Sequence, residues 1–137
     1  MIVLALALAP PDFDALDGAI DKCDRNRAMP IFAGEAERRS AFATSIYDDQ
    51  AAISAERADI ATRRRAIREA GGRPLPKPAE GEKALSDQAL SLMNLALDDR
   101  QRALDDRRRL ETMREEAIDL KRRFFLVRCT ATKDDLK

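Results

Sequence analysis

Residues 97–103 read LDDRQRA, and residues 104–110 repeat the same unit as LDDRRRL. Leu97 and Leu104 stand one heptad apart, and in each copy an aspartate precedes an arginine by four residues. Ion pairs at this spacing support a helix, but each contributes only about 0.3–0.5 kcal/mol. The helix therefore needs a partner against which it can bury its apolar side.

A second helical segment upstream offers that partner. Isoleucine recurs at every seventh position there, at Ile46, Ile53, Ile60 and Ile67. The two patterns together predict an all-α protein, an elongated antiparallel helical hairpin of the coiled-coil type. The composition agrees, because 36% of the residues are charged, 4% are aromatic and tryptophan is absent, which leaves little material for a globular core.

One helical domain, residues 10–129, is expected in this chain of 137 residues. It should contain helices at about 12–27, 35–70 and 82–129. Pro30 disfavours helix at the residue before it, so we expect the first helix to end there and residues 31–34 to form a corner.

Glycines and prolines mark the boundary between the two long helices. Gly71 and Gly72 are expected to stop the second helix, because glycine adopts the left-handed conformation common at helix ends. The segment 71–81 carries prolines on alternate residues and is predicted to be an extended linker. The last residues, 130–137, are expected to form a polar tail.

Folding the hairpin about this linker predicts which residues meet. The isoleucines are expected to face the small-residue heptad Ala89, Ala96, Ala103 and Leu110. A second apolar strip of the third helix then faces outward, and it consists of Leu90, Met93, Leu97 and Leu104. Because an exposed apolar strip is typical of an interaction surface, we expect a protein partner or a second copy of the chain, as a homodimer, to cover it.

The short first helix has a single apolar face, formed by Phe13, Leu16 and Ile20. Near the other end of the chain, residues 124–127 read FFLV and are apolar on every side, which a two-helix seam cannot bury. Docking the first helix at this end would bring Cys23 beside Cys129. We therefore predict a disulfide, although two unpaired buried cysteines in a cytosolic protein remain the alternative.

Residues 1–9, MIVLALALA, form an apolar run that is too short to span a bilayer, which needs roughly 20 residues. The run has the character of a secretory signal, with ALA at 7–9 as the cleavage site, but it lacks basic residues and is followed by two prolines. A buried or frayed N-terminus and a start assigned too far downstream are the alternatives. Together with the disulfide, the run favours a periplasmic or secreted protein over a cytoplasmic one.

The amino-acid composition argues against catalysis and metal binding. Histidine, the commonest general base and metal ligand, is absent. Adjacent carboxylates such as Asp98 and Asp99 point about 100° apart on a helix and do not converge. We therefore expect no catalytic residue, no metal, no cofactor and no small-molecule substrate.

Arginine clusters at 63–65, 107–109 and 122–123 raise the question of nucleic acid. However, 25 basic residues are balanced by 25 acidic ones, and no aromatic stacking platform accompanies the arginines. A solvated face with internal ion pairs is the better interpretation of these clusters.

In architecture the chain resembles small exported coiled-coil proteins, including periplasmic holdase chaperones with long helical arms. The first hypothesis is a non-enzymatic exported hairpin that acts through protein–protein interaction, either as a structural component of the envelope or as a holdase-like binder. The alternative is a cytosolic coiled-coil regulator or nucleic-acid-associated protein that uses its arginine-rich helix faces.

Overall fold

Three α-helices make up the part of the chain that the computed structural model describes, residues 13–75 and 85–130. They are α1 (Phe13–Asp21), α2 (Arg25–Ala70) and α3 (Asp87–Thr130). The predicted all-α helical hairpin is confirmed, because α2 and α3 pack against each other and no strand occurs in these two ranges. The apolar run 1–9, most of the linker 71–81 and most of the tail 130–137 lie outside the described residues.

The first helix ends at a Schellman motif. The amide of Cys23 donates a hydrogen bond to the carbonyl of Ile20 (3.0 Å), and the amide of Asp24 donates one to the carbonyl of Ala19 (2.8 Å). Cys23 occupies the left-handed position of this motif, with φ of 50°. The motif satisfies carbonyls that the end of α1 would otherwise leave without a partner.

The next helix begins at once, because Asp24 is also its N-cap. The Oδ1 atom of Asp24 accepts a hydrogen bond from the amide of Arg27 (3.2 Å). The predicted first helix, 12–27, and the predicted corner at 31–34 are therefore wrong, and Pro30 lies inside α2. Pro30 is tolerated because it lies close to the N-terminal end of the helix, where its missing N–H removes one backbone hydrogen bond and leaves the long body of α2 intact.

The other helix ends are set by glycine and serine. The predicted stop of α2 at Ala70 is confirmed, and Gly71 and Gly72 follow it with positive φ angles of 56° and 85°. The third helix begins at Asp87, later than the predicted start near 82. The side chain of Ser86 explains this start, since its Oγ accepts a hydrogen bond from the amide of Ala89 (3.1 Å) as an N-cap.

The described chain divides into two compact units. The base is Met1–Thr44 with Leu110–Lys137, and the arm is Ser45–Arg109. That residues 10–129 fold as the single domain expected from the sequence stays a prediction, and each unit is described by itself.

In the arm, large aliphatic side chains of both helices form the seam. All of the following are 8% exposed or less: Ile46, Ile53, Ile60, Leu90, Leu97 and Leu104. The predicted register is wrong, because Ala96 and Ala103 are exposed and Leu90, Leu97 and Leu104 are buried between the helices. The reason is area, since a leucine opposite an isoleucine removes more apolar surface from water than an alanine does.

A polar layer interrupts this aliphatic seam. The amide nitrogen of Gln50 donates to the side-chain oxygen of Gln101 (3.0 Å), and that of Gln101 donates back to Gln50 (3.1 Å). Both side chains are partly buried. A reciprocal pair of this kind is satisfied at one register only, so it fixes the alignment of the two helices in the arm.

In the base, α1 packs on both long helices around one apolar cluster. The buried members of the cluster are Leu16, Ala19, Ile20, Ala28, Phe32, Ile118 and Phe125. The rings of Phe32 and Phe125 lie 6.0 Å apart between centroids. The predicted docking of the short N-terminal helix at this end of the hairpin is confirmed, and Phe125 is the member of the 124–127 run that it covers.

Candidate interaction surface

A disulfide between Cys23 and Cys129 is the first feature that holds the helices of the base together. The two sulfur atoms lie 2.06 Å apart and the two Cα atoms 5.3 Å apart, so the pairing predicted from the sequence is confirmed. The bond joins the end of α1 to the last turn of α3 across a sequence separation of 106 residues. It therefore holds α1 on the base independently of the apolar packing.

Two ion pairs add to this attachment of α1. The ammonium group of Lys121 bonds the carboxylate of Asp17, and Nη1 of Arg128 lies 3.1 Å from Oδ1 of Asp21. Both basic residues belong to α3, and both acidic ones lie on α1. The side of α3 that faces α1 is therefore neutralised within the chain.

The second such feature is a cluster of four charged side chains between α2 and α3. The guanidinium of Arg114 donates two hydrogen bonds to the carboxylate of Glu35, with lengths of 2.7 and 2.8 Å. Arg38 donates to Glu35 (3.0 Å) and, through both terminal nitrogens, to Glu111. All four side chains are at most 14% exposed, so two arginines and two glutamates neutralise one another in a nearly dry setting.

This setting shifts the acid strength of Glu35. Hydrogen bonds from Arg114 hold the pKa of the Glu35 carboxyl below its ordinary value, and Arg38 acts in the same direction. Burial opposes the shift, because it penalises the charged carboxylate. Glu35 is thus ionised and fully engaged with arginine, and the cluster stabilises the base without offering a free acid or base.

One face of α3 supplies the inner contacts of the base. Its members are spaced by three and four residues, and all are buried or half-buried: Glu111, Arg114, Ile118, Lys121 and Phe125. This face meets α1 and α2 through the apolar cluster and the ion pairs described above. It occupies the side of α3 that would otherwise be open to a partner.

A second apolar face of α3 stays uncovered. We call it the outer stripe, and it consists of Leu110, Met113, Ala117, Leu120, Phe124 and Val127. The first five members of the stripe each precede a member of the inner face by one residue. One residue of an α-helix turns the side chain by about 100°, so the stripe is turned by that angle from the inner face. Its five large side chains are 55–76% exposed, whereas Ala117 is half-buried.

The members of the outer stripe are regularly spaced along α3, unlike apolar residues scattered over a protein surface. The spacing of its members alternates three, four, three, four and three, which keeps them on one side of the helix over about 26 Å. Single exposed apolar residues need no explanation, but a contiguous row marks an interaction site. Next to Leu120 and Phe124, a shallow groove lined also by Asp17, Ile20 and Asp21 separates the stripe from α1.

The interaction residues predicted from the sequence lie elsewhere. The prediction of an outward strip is wrong for Leu90, Leu97 and Leu104, which are 0–3% exposed in the seam of the arm, and only Met93 (37%) keeps partial exposure. The heptad that carries Ala96, Ala103 and Leu110, which was assigned to the seam, is the outward one. The companion position of that heptad is aspartate at 99 and 106 and becomes apolar at Met113, Leu120 and Val127. This change of composition was the signal in the sequence for the outer stripe.

Several arginines of both units form ion pairs within the chain. In the arm, Arg57 pairs with Asp98 (2.8 Å), Arg100 with Glu56 (2.7 Å) and Arg107 with Asp49 (2.7 Å). In the base, Arg39 lies 3.3 Å from Asp119. These pairs link α2 with α3. One groove of the arm is lined by Arg57, Arg64, Arg65 and Arg68 together with Asp98. The interpretation of the arginine clusters as solvated ion-paired faces stays a prediction.

Residues 13–75 and 85–130 contain no cluster of three or more cysteine or acidic side chains placed to hold a metal ion. Within the same ranges, no helix is both long and apolar enough to cross a membrane. Both cysteines of the chain are used in the disulfide. The exposed row of large apolar side chains in the outer stripe is the feature of the described surface that most clearly points to a function.

No protein-family model matches the sequence, and searches of curated proteins and of solved structures found no match either.

Proposed function

We propose that this chain is a non-enzymatic protein that works by protein–protein interaction, and that the outer stripe of α3 is its binding surface. The observation that carries the proposal is the exposure of five large apolar side chains in one row on the base. Their burial by a partner would remove apolar surface from water, which is the main driving force of association. A partner helix is the form that suits a row with alternating spacing of three and four residues.

The surroundings of the stripe support a binding role. The disulfide, the apolar cluster and the four-residue charged cluster hold α3 from its inner side. A rigid helix loses little conformational freedom when a partner docks, so more of the apolar burial is retained as affinity. The base therefore has the properties of a preorganised platform.

We place the protein in an oxidising compartment, the periplasm or the extracellular space. The support for this location is the Cys23–Cys129 disulfide, because such bonds persist outside the reducing cytosol. An envelope component that joins other proteins and a holdase that shields exposed apolar segments would both use a surface of this kind. Under either role the stripe is the part that touches the partner.

Site-specific photo-crosslinking in the cells that produce the protein tests the proposal. A photoreactive phenylalanine analogue in place of Leu120 should give discrete adducts that contain a second polypeptide, identified by mass spectrometry. The same analogue in place of Tyr47, which is 74% exposed on the arm, is the control and should give none. Adducts at neither position, or the same adducts at both, would contradict a role for the stripe.

A further inference from the structure

We infer that the occupant of the outer stripe is a second copy of the same chain, with the two α3 helices packed antiparallel through their stripes. The inference rests on the proposed function and names the partner in it. Two independent properties of the stripe, the sizes of its side chains and the charges beside it, both fit a copy in the antiparallel direction.

The first property is the order of side-chain sizes along the stripe. In an antiparallel pair, the two middle layers place Ala117 of each copy opposite Leu120 of the other. The next layers pair Met113 with Phe124, and the outermost layers pair Leu110 with Val127. Every layer then combines a larger and a smaller side chain or two of moderate size, as a densely packed interface requires.

A parallel pair would pack the same residues badly. Each position would meet its own copy, so that Ala117 would face Ala117 and leave a gap in the middle. Two turns further on, Phe124 would face Phe124 and overfill its layer. Voids and overpacking both destabilise an interface, so the sizes favour the antiparallel direction.

The second property is the charge pattern on the side of the stripe that faces away from α1. Glu116 and Arg123 lie there, one heptad apart, and both are exposed. The antiparallel register that pairs Ala117 with Leu120 also places Glu116 of each copy next to Arg123 of the other. Because the arrangement has two-fold symmetry, it forms this opposite-charge pair twice.

On the other side of the stripe, the charges are already satisfied within each chain. Arg114 is bound by Glu35, and Lys121 is bound by Asp17. Their net contribution to the choice of direction is therefore small, and the side with Glu116 and Arg123 decides it.

The parallel direction forms no such pair of opposite free charges. It would place Arg123 of each copy next to Arg128 of the other, and Arg128 is already paired with Asp21 within its own chain. Glu116 would meet Lys121, whose charge already has a partner in Asp17.

The interface is short, so we expect modest affinity. Six residues of each helix form the stripe, over a length of about 26 Å, which places the contact at the small end of specific interfaces. A reversible dimer that forms at micromolar concentrations, and not a permanent one, is the expected result.

Sedimentation of the full disulfide-bonded chain over a wide concentration range tests the inference. The wild type should shift from the mass of one chain to that of two. Leu120→Glu would place two charges in the middle of the dimer and should weaken it more than about a hundredfold. Leu95→Glu is the matched control, since Leu95 is 59% exposed on the same helix but lies outside the stripe, and it should dimerise like the wild type.

Charge reversal tests the direction of the helices. Arg123→Glu alone and Glu116→Arg alone should each weaken the dimer about tenfold, because two attractive pairs become repulsive. The double variant with both changes restores opposite charges and should regain the wild-type dissociation constant. If Arg123→Glu strengthens the dimer, the helices are parallel and the inference is wrong.

Failure of self-association can be told apart from failure of the proposed function. A wild-type chain that keeps the mass of one copy at every concentration, or a dimer that Leu120→Glu does not disturb, overturns the inference. Crosslinks from position 120 to a different protein would then still support the stripe as a binding surface. Absence of any crosslink there would remove both proposals together.

Discussion

The guanidinium of Arg114 forms a two-pronged hydrogen bond with the carboxylate of Glu35, with N···O distances of 2.7 and 2.8 Å, and both side chains are at most 13% exposed. Buried ion pairs of this geometry contribute little net stability relative to an apolar core, but they are costly to break. Arg38 extends the pair to Glu111. The stability of the base therefore depends on the charge of Glu35.

Removal of the Glu35 charge should destabilise the base strongly. Glu35→Ala leaves two buried guanidinium groups without a shared counter-charge, and we expect a loss of about 3–5 kcal/mol in the free energy of unfolding. Urea denaturation followed by circular dichroism measures the change. Asp99→Asn is the control, since Asp99 pairs with Arg102 at 73% exposure of both side chains, and it should alter stability by at most about 0.5 kcal/mol.

The stability of the base should fall in acid because of Glu35. The folded-state pKa of its carboxyl is depressed below the ordinary value of 4.5, so its contribution is fully present above pH 4.5 and is lost as the pH falls through the folded pKa. Thermal unfolding between about pH 6 and about pH 3 should show this loss. The variant Glu35→Gln starts from a lower Tm and should show a shallower decline. Parallel profiles for the two proteins would mean that other carboxyls dominate.

Loss of the disulfide should lower stability by about 4–5 kcal/mol, because the bond closes a loop of more than a hundred residues in the unfolded chain. Cys129→Ser under oxidising conditions and the wild type with a reductant should give similar unfolding curves. A reductant should have no effect on Cys129→Ser, which serves as its own control. A wild type that is indifferent to reduction would contradict the expected contribution.

Glycine should be the best replacement for Cys23 once the disulfide is absent. Cys23 holds the left-handed position at the end of α1, with φ of 50°, where a side chain costs about 1 kcal/mol. In the Cys129→Ser background, Cys23→Gly should therefore be more stable than Cys23→Ala by about 1 kcal/mol. The two variants lose the same thiol, so the difference between their unfolding midpoints isolates the backbone term.

The seam of the arm can be tested at Leu97. This side chain is 2% exposed, and Leu97→Ala should cost about 2–5 kcal/mol through lost burial and the cavity left behind. Leu92→Ala on the same helix is the control, because Leu92 is 62% exposed and its loss should be small. Equal effects of the two substitutions would favour the register predicted from the sequence, in which Leu97 faces outward, over the register of the structure.

Those features of the fold that depend on strong local signals could be predicted from the sequence. The heptad of isoleucines identified α2, and Gly71 and Gly72 identified its end. The disulfide followed from the apolar face of α1, because docking that face on the 124–127 run left only one place for Cys23. Each of these inferences used residues whose role depends little on the register between helices.

The choice between neighbouring faces of α3 could not be predicted in the same way. Leu97 and Ala96 are adjacent in sequence, and each belongs to a regular heptad, so periodicity alone supports both registers. What separates them is the set of partners that each register creates, such as the Gln50–Gln101 pair. Those partners become visible only when both helices are placed. For this reason the heptad of Ala96, Ala103 and Leu110 was assigned to the seam, and the outer stripe was not expected to face outward.

Proline and charge gave misleading signals at the start of α2. Pro30 favours a break, but the capping by Asp24 and the Schellman motif at Cys23 supply a better one seven residues earlier. Glu35 and Arg38 look like ordinary surface charges in the sequence. Their burial depends on Glu111 and Arg114, which lie more than 70 residues away along the chain.

Because Asp24 closes α1 through its amide and opens α2 through its carboxylate, the joint between these helices has a fixed length. One inserted residue would turn the apolar side of α1 by about 100°, carry Leu16 out of the cluster and separate the two roles of Asp24. The sequence between Asp21 and Arg25 should thus accept exchanges of side chains more readily than insertions or deletions. In related chains, a gap at this joint would mark a base that is assembled differently.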